Sequence, residues 1–145
     1  MRRAVNRYGG NDPIDDAPQS AGVVAVEQDG TLVALVSGEV DANSADHVFT
    51  EVVRCLDQRP AALVIDLDPV TFFDSSGIRV LLELGEQSAA HGVRFAVAAS
   101  NRVVVRPLTV TTVDRVLPLY ASRTEAIAAV HGHEFAEQDK LIDPV

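Results

Sequence analysis

One segment of the sequence contains a strand, a turn and the start of a helix: LVIDLDPVTFFDSSGIRVLL, residues 63–82. Its first part, with Ala62 before it, is short, apolar and β-branched, which is typical of a strand buried on both faces of a parallel sheet. Asp66 and Asp68 end this strand, and Pro69 predicts a turn. Ile78, Leu81, Leu82 and Gly85 then follow at i, i+3, i+4 and i+7 and predict a helix with one buried face.

Ser75 stands at the predicted start of that helix, between Asp74 and Ser76. The first turn of a helix has unpaired N–H groups and the positive end of the helix dipole, so a phosphate on a hydroxyl there is tolerated. Ser75 is therefore a candidate phosphorylation site. The simpler interpretation is that Asp-Ser-Ser only caps the helix.

The residues around Ser75 resemble the phosphorylation-site region of the anti-sigma factor antagonists, the STAS domain family (sulphate transporter and anti-sigma factor antagonist). The resemblance rests on Phe-Phe-Asp-Ser-Ser-Gly between the strand and the apolar helix. A second match is Gly38-Glu39-Val40-Asp41, which resembles a turn that lies beside the serine in that family. The resemblance extends over about residues 22–130 and implies a compact α/β domain.

The resemblance also implies a function. The unmodified protein is expected to bind an anti-sigma factor and release a sigma factor, so that transcription starts, typically in a stress response. The anti-sigma factor is expected to be a serine kinase that phosphorylates Ser75 and blocks binding, and a phosphatase would reverse the reaction. The expected partner-binding residues are Glu39, Asp41, Asp74, Ser75, Ser76, Gly77 and Arg79.

Several alternatives stay open for these residues. Glu39 and Asp41 could be a solvated acid and a helix-start cap. Arg79, where family members have a small residue, could pair with a phosphate on Ser75 or be solvated. The whole domain could be a constitutive STAS adaptor in a signalling or transport assembly, with Ser75 never phosphorylated.

The sequence shows little sign of catalysis. Ser75 is not in a Gly-x-Ser-x-Gly elbow, and His47, His91, His131 and His133 stand in no context that ties them to it. No nucleotide-binding loop or zinc motif occurs, so we expect neither enzyme activity, nor a cofactor, nor a metal. A serine hydrolase is the remaining enzymatic alternative.

The length, composition and charge limit the number of domains, the kind of partner and the cellular location. The 145 residues fit one domain, with residues 1–21 expected to be a disordered leader, 22–131 the domain and 132–145 a flexible tail. A net charge of −9 argues against nucleic acid as a partner and is compatible with a basic protein. Cys55 is the single cysteine and is expected in the core. With no membrane span or secretory signal in the sequence, we expect a cytoplasmic protein. We further expect a monomer or weak dimer.

The remaining elements define the predicted fold class, α/β. Residues 23–27 and 31–36 read as a hairpin joined by Gln28-Asp29-Gly30, and residues 37–45 as a turn into a helix over residues 48–56. Strand 93–98, an uncertain helix capped by Asn101 and a last helix opened by Ser122 follow. Together they predict a mixed, mostly parallel sheet with an antiparallel N-terminal hairpin, covered by helices.

Overall fold

The computed structural model describes residues 20–132. The strands are β1 (Ala21–Gln28), β2 (Thr31–Val40), β3 (Ala62–Asp66), β4 (Val70–Phe73), β5 (Arg94–Ala98) and β6 (Leu119–Tyr120). The helices are α1 (Ala45–Asp57), α2 (Ser75–Ala90), α3 (Arg102–Val110) and α4 (Arg123–His131), with a 3-10 turn at Val113–Arg115. The predicted leader and tail lie outside the described residues, apart from residues 20, 21 and 132.

The strands form one mixed sheet in the order β1-β2-β3-β5-β6, with β4 paired to the far end of β2. The β1–β2 pair is antiparallel, and the other pairs are parallel. The predicted fold class is therefore confirmed.

The predicted hairpin is also confirmed. Gln28 pairs with Thr31 across a two-residue turn, in which Asp29 and Gly30 have φ values of 53° and 80°. Positive φ at both positions is the type I′ geometry that matches the twist of the two strands.

Helices cover both faces of the sheet. On one face, β3 residues Leu63 and Ile65 share a core with α1, α2 and α3, and on the other face Val64 packs with α4. All five residues of β3 are buried, as the unbroken apolar run predicts. Cys55 lies in the first core as expected, and burial, with a smaller effect from Glu51, raises the pKa of its thiol.

Two short strand segments were not predicted. Residues 70–73, between the predicted turn at Pro69 and the helix, form β4, and residues 38–40, predicted as a turn, are the end of β2. The two segments pair with each other, with a register shift at Gly38, whose φ is 86°. Their strand state depends on this pairing between segments 30 residues apart, which a local pattern does not reveal.

The buried face of α2 is also turned relative to the prediction. Its buried residues are Gly77, Val80, Leu81, Leu84 and Ser88. Of the predicted stripe only Leu81 is buried, whereas Ile78 and Gly85 are half-buried and Leu82 is exposed. The stripe was wrong because it included the exposed Leu82 and left out Val80 and Leu84, which are buried on the same face as Leu81.

The C-terminal third agrees well with the sequence. Asn101 and Ser122 cap α3 and α4 by accepting hydrogen bonds from Val104 N and Glu125 N. Thr112, just after α3, has a positive φ of 60°. His131, at the end of α4, forms a 2.6 Å hydrogen bond with the buried Thr31, and His133 lies outside the described residues.

Candidate functional site

Ser75 is the first residue of α2, and its side chain is exposed. Asp74 is the N-cap, and its Oδ1 accepts a 2.9 Å hydrogen bond from Ser76 N. Within residues 20–132 the Ser75 hydroxyl has no hydrogen-bond partner. The prediction that Ser75 opens a helix is confirmed, and the cap role falls to Asp74, which leaves the serine hydroxyl accessible.

The pairing of β2 with β4 brings the two halves of the predicted site together. Val40 is in register with Phe73, and Asp74 N donates a 3.3 Å hydrogen bond to Val40 O. The residue that follows each strand is an aspartate, Asp41 after β2 and Asp74 after β4. The structure therefore places the Glu39–Asp41 segment beside the start of α2, as the resemblance implied.

Asp41 holds the backbone of the loop that enters α1. Its Oδ1 accepts hydrogen bonds from Asn43 N at 2.9 Å and Ser44 N at 3.1 Å. The Ser44 hydroxyl donates to Glu39 O at 2.7 Å. Asp41 thus orders the loop before α1 and does not cap the helix, whose N-cap is Ser44, while the Glu39 side chain is exposed.

Gly77 and Arg79 differ sharply in exposure. Gly77 is buried, and a Cβ atom on it would lie 2.5 Å from the ring of Phe73. Arg79 lies one turn after Ser75, is exposed, and takes part in none of the ion pairs of residues 20–132. Gly77 therefore allows α2 to approach β4, and only Arg79 offers a side chain to a partner.

Phe72 is a residue that the sequence reasoning missed. It is 47% exposed and in register with Glu39 at the site. Its signal was the β-branched and aromatic run Val70-Thr71-Phe72-Phe73, which favours a strand. An exposed aromatic ring beside acidic side chains is typical of a protein-binding surface.

A second missed feature holds β4 in place. The Asn101 side-chain amide donates to the carbonyl oxygens of Leu67, Asp68 and Val70 at 3.2, 2.9 and 3.3 Å. Asp68 Oδ1 in turn accepts a 2.7 Å hydrogen bond from Ser100 N. These bonds fix the loop from β3 to β4 and so the direction in which the chain enters α2.

The surroundings of Ser75 contain little that could activate it as a nucleophile. No hydrogen bond joins it to the histidines of the described chain, His47, His91 and His131. His91 is at the C-cap of α2, about 24 Å along the helix from Ser75. Between residues 20 and 132 there is no group of three or more His, Cys, Asp or Glu side chains arranged to hold a metal ion.

The fold and the site define an α/β domain with an exposed serine at a helix start, and comparison with known proteins identifies the family. The STAS domain model matches residues 22–126, so the chain belongs to the STAS domain family. None of the helices in residues 20–132 is long and apolar enough to cross a membrane.

Three of the relatives that resemble this chain are named anti-sigma factor antagonists. The anti-sigma-F factor antagonist RsfB of Mycobacterium tuberculosis is 30% identical over 116 residues, 80% of this chain and 94% of RsfB. The anti-sigma F factor antagonist of Paenibacillus polymyxa is 28% identical over 99 residues, 68% of this chain and 85% of that protein. The crystal structure of an anti-sigma factor antagonist from Mycobacterium paratuberculosis superposes with a TM-score of 0.73 at 33% identity, covering 79% of this chain and 97% of that one.

Proposed function

We propose that the protein is an anti-sigma factor antagonist that is switched by phosphorylation of Ser75. Unmodified, it binds an anti-sigma factor and so releases a sigma factor; phosphorylated, it does not bind. The observation that carries the proposal is the exposed Ser75 hydroxyl at the start of α2, which makes no hydrogen bond within the described chain. The names of the relatives supply the kind of partner.

The partner contacts a surface that we call the switch surface. It consists of Glu39, Asp41, Asp74, Ser75, Ser76 and Arg79. Phe72 lies beside it as an exposed apolar anchor, and Gly77 supports it from below through its contact with Phe73. Three of the six residues are acidic, so the complementary surface of the partner is basic.

A phosphate on Ser75 changes binding without unfolding the domain. The N–H groups and dipole at the start of α2 stabilise an anion there. Towards the partner, however, the phosphate adds about 1.5 to 2 negative charges and bulk at the centre of the contact. In this proposal a partner carboxylate within the otherwise basic surface accepts the hydrogen bond of the unmodified Ser75 hydroxyl, so the phosphate meets a like charge there. Two like charges at 4 Å repel by about 4 kcal/mol at a surface-like dielectric. Micromolar binding amounts to about 8 kcal/mol, so such a repulsion is enough to dissociate the complex.

The phosphate comes from a separate kinase in this proposal, which can reach the Ser75 hydroxyl because it is exposed at the start of α2. We propose that the anti-sigma factor is this kinase: the Ser75 oxygen attacks the γ-phosphorus of ATP, ADP leaves, and the hydroxyl proton passes to a base of the kinase. A phosphatase returns the serine by hydrolysis. Both reactions would take place in the cytoplasm.

Arg79 is placed to reduce the repulsion between a phosphate on Ser75 and the partner. It is four residues from Ser75 on the same helix, a spacing at which side chains interact. If Arg79 pairs with the phosphate, Arg79→Gln will make phosphorylated protein bind even more weakly. If Arg79 is solvated and contacts only the partner, Arg79→Gln will change the affinity of the unmodified protein alone.

Titration calorimetry against the anti-sigma factors of the host tests the proposal. Wild type and Ser75→Ala are expected to bind one of them, and Ser75→Glu at least about a hundredfold more weakly. Thr124→Glu is the matched control, because Thr124 is an exposed hydroxyl in the first turn of α4 on the other face of the sheet. Equal affinity of Ser75→Glu and wild type would contradict the switch and favour the constitutive adaptor.

A serine hydrolase makes a different prediction. A fluorophosphonate probe would label Ser75 of a hydrolase, because its nucleophilic oxygen attacks the probe. We expect no labelling of the wild type beyond that of Ser75→Ala. Labelling that requires Ser75 would overturn the proposal of a binding protein.

A further inference from the structure

In the part of the chain that the structure describes, the edge of the sheet at β1 is unpaired and has few of the features that usually protect a sheet edge. Among residues 20–132, β1 pairs with β2 on one side and with no strand on the other. Its sequence, AGVVAVEQ, contains one charged residue, Glu27, and no proline. Val24 and Val26 are 59% and 36% exposed, although both are apolar. Proteins usually protect such an edge with charges, proline or a bulge, because it can pair with another strand.

The hairpin fixes which backbone groups of β1 point outwards. A two-residue I′ turn makes Gln28 and Thr31 a hydrogen-bonded pair, and such pairs alternate along an antiparallel ladder. The even-numbered residues of β1 therefore bond to β2. The N–H and C=O groups of Val23, Ala25 and Glu27 point to the free edge.

We propose that this edge pairs with β1 of a second copy of the chain, antiparallel and with Ala25 on the twofold axis. Ala25 would pair with its own equivalent, and Val23 with Glu27 of the second copy. These three pairs form about six hydrogen bonds across the axis. In the same register Val24 lies opposite Val26 of the second copy, so four exposed valines meet on one face of the joined sheet.

A second copy suits this edge because the strand is complementary to itself in this register. No charged residue lies opposite another, since Glu27 faces Val23, and the same patch serves both copies, as a twofold interface requires. Val24 pairs with Leu35 and Val26 with Val33 within the hairpin, so the apolar face continues into each copy. The net charge of −9 opposes association at long range, and salt is expected to strengthen the dimer.

The dimer leaves the switch surface accessible. β4 and α2 lie beyond β2, on the side away from the free edge of β1. A twofold axis through Ala25 reverses one sheet relative to the other and so places the two switch surfaces at opposite ends. Dimerisation is therefore independent of Ser75, and Ser75→Glu is expected to dimerise like the wild type.

Disulfide cross-linking of the full chain tests the register. Opposed residues of a non-hydrogen-bonded pair have Cα atoms about 4.5 Å apart, within reach of a disulfide, whereas diagonal residues are about 7 to 8 Å apart. An equimolar mixture of Val24→Cys and Val26→Cys chains is thus expected to form at least about tenfold more disulfide dimer than either variant alone. Cys55 is present in every sample and buried. Equal cross-linking by Val24→Cys alone would overturn the proposed pairing.

Sedimentation of the full chain tests the association itself. The wild type is expected to show a reversible monomer–dimer equilibrium. Val24→Lys should raise the dissociation constant at least about tenfold, because each dimer gains two charges at the apolar contact. Val116→Lys, at a valine that is 71% exposed near the opposite edge of the sheet, should leave it unchanged. A wild type that stays monomeric at high salt would overturn the proposal, including the case in which another segment of the same chain occupies the edge.

Discussion

Aspartates follow the strands at two places on the same end of the sheet, with opposite results. At the end of β3, its last residue Asp66 is buried and accepts a 2.9 Å hydrogen bond from Arg123 Nε. Two residues later, Asp68 accepts hydrogen bonds from the Ser100 backbone and hydroxyl. The two bonding partners come from α4 and from the loop after β5, far away in the sequence. We call this region, with Asp66 and Asp68, the closed exit, because its carboxylates are hydrogen-bonded to residues of other elements.

After β2 and β4 the aspartates bond only to their own neighbourhood. Asp41 accepts from Asn43 and Ser44, and Asp74 from Ser76. No cation of residues 20–132 pairs with either aspartate, and Ser75 between them is exposed. We call this region, with Asp41, Asp74 and Ser75, the open exit. Its carboxylates bond to the nearby backbone, and its hydroxyl and negative charges stay accessible to a partner. Whether a group from a distant element bonds to the carboxylate, as Arg123 does to Asp66 and Ser100 to Asp68, therefore distinguishes the scaffold from the candidate site.

The largest effect on folding is expected at the closed exit. Arg123→Met leaves the Asp66 carboxylate buried without its cation, which costs about 3 to 5 kcal/mol for a fully buried pair. Because the Arg123 side chain is 32% exposed, we expect about 2 to 3 kcal/mol. Chemical denaturation measures the loss, and the affinity of the folded protein for its partner should not change.

The control for Arg123→Met is an ion pair on the surface. Arg54 lies 3.8 Å from Glu51, with side-chain exposures of 62% and 31%. Arg54→Met should change the unfolding free energy by less than about 1 kcal/mol. Equal losses in the two variants would mean that the closed exit is not a structural element.

The next largest loss of stability is expected for Gly77→Ala, which lies beneath the open exit. The added methyl group meets the Phe73 ring at 2.5 Å, so β4 and α2 must separate, at about 1 to 3 kcal/mol. Gly85→Ala on the same helix is the control, since its methyl group meets a side-chain end of Leu117 at 3.3 Å and the Phe95 ring at 3.6 Å, both without the overlap found at Gly77. Thermal unfolding of both variants checks the difference, and a Gly77→Ala protein as stable as Gly85→Ala would contradict the packing role.

The smallest effects are expected at Asp74, where two substitutions distinguish the capping role of the side chain from the role of its charge. Asp74→Ala should lose about 1 kcal/mol of stability, as should Ser122→Ala at α4, because both remove an N-cap. Asp74→Asn keeps the cap and most of the stability but removes a charge from the switch surface. It should therefore bind the anti-sigma factor several-fold more weakly, while Ser122→Ala binds normally. Unchanged affinity in Asp74→Asn would remove Asp74 from the partner contact.

The sequence predicted those features whose signals are local. The buried run of β3, the I′ hairpin turn and the caps at Asn101 and Ser122 each depend on a few adjacent residues. Ser75 at a helix start followed from the same kind of pattern, and the resemblance to the family placed Glu39 and Asp41 beside it.

Features that depend on distant pairing could not be predicted in this way. The strand β4 exists because it pairs with β2, and its buried and exposed residues do not alternate. The Asp66–Arg123 pair joins residues 57 positions apart. The buried face of α2 contains Gly77 and Ser88, which no apolar pattern includes.

Phosphorylation of Ser75 is the central claim, and intact mass measurement after incubation with ATP and each anti-sigma kinase of the host tests it most directly. We predict that one kinase adds a single phosphate to the wild type and to Ser76→Ala, and none to Ser75→Ala. Ser76 is the matched control, because it is the adjacent hydroxyl, half-buried, with its N–H bonded to Asp74. A wild type that no kinase modifies, or a Ser75→Ala protein that still gains the phosphate, would contradict the account.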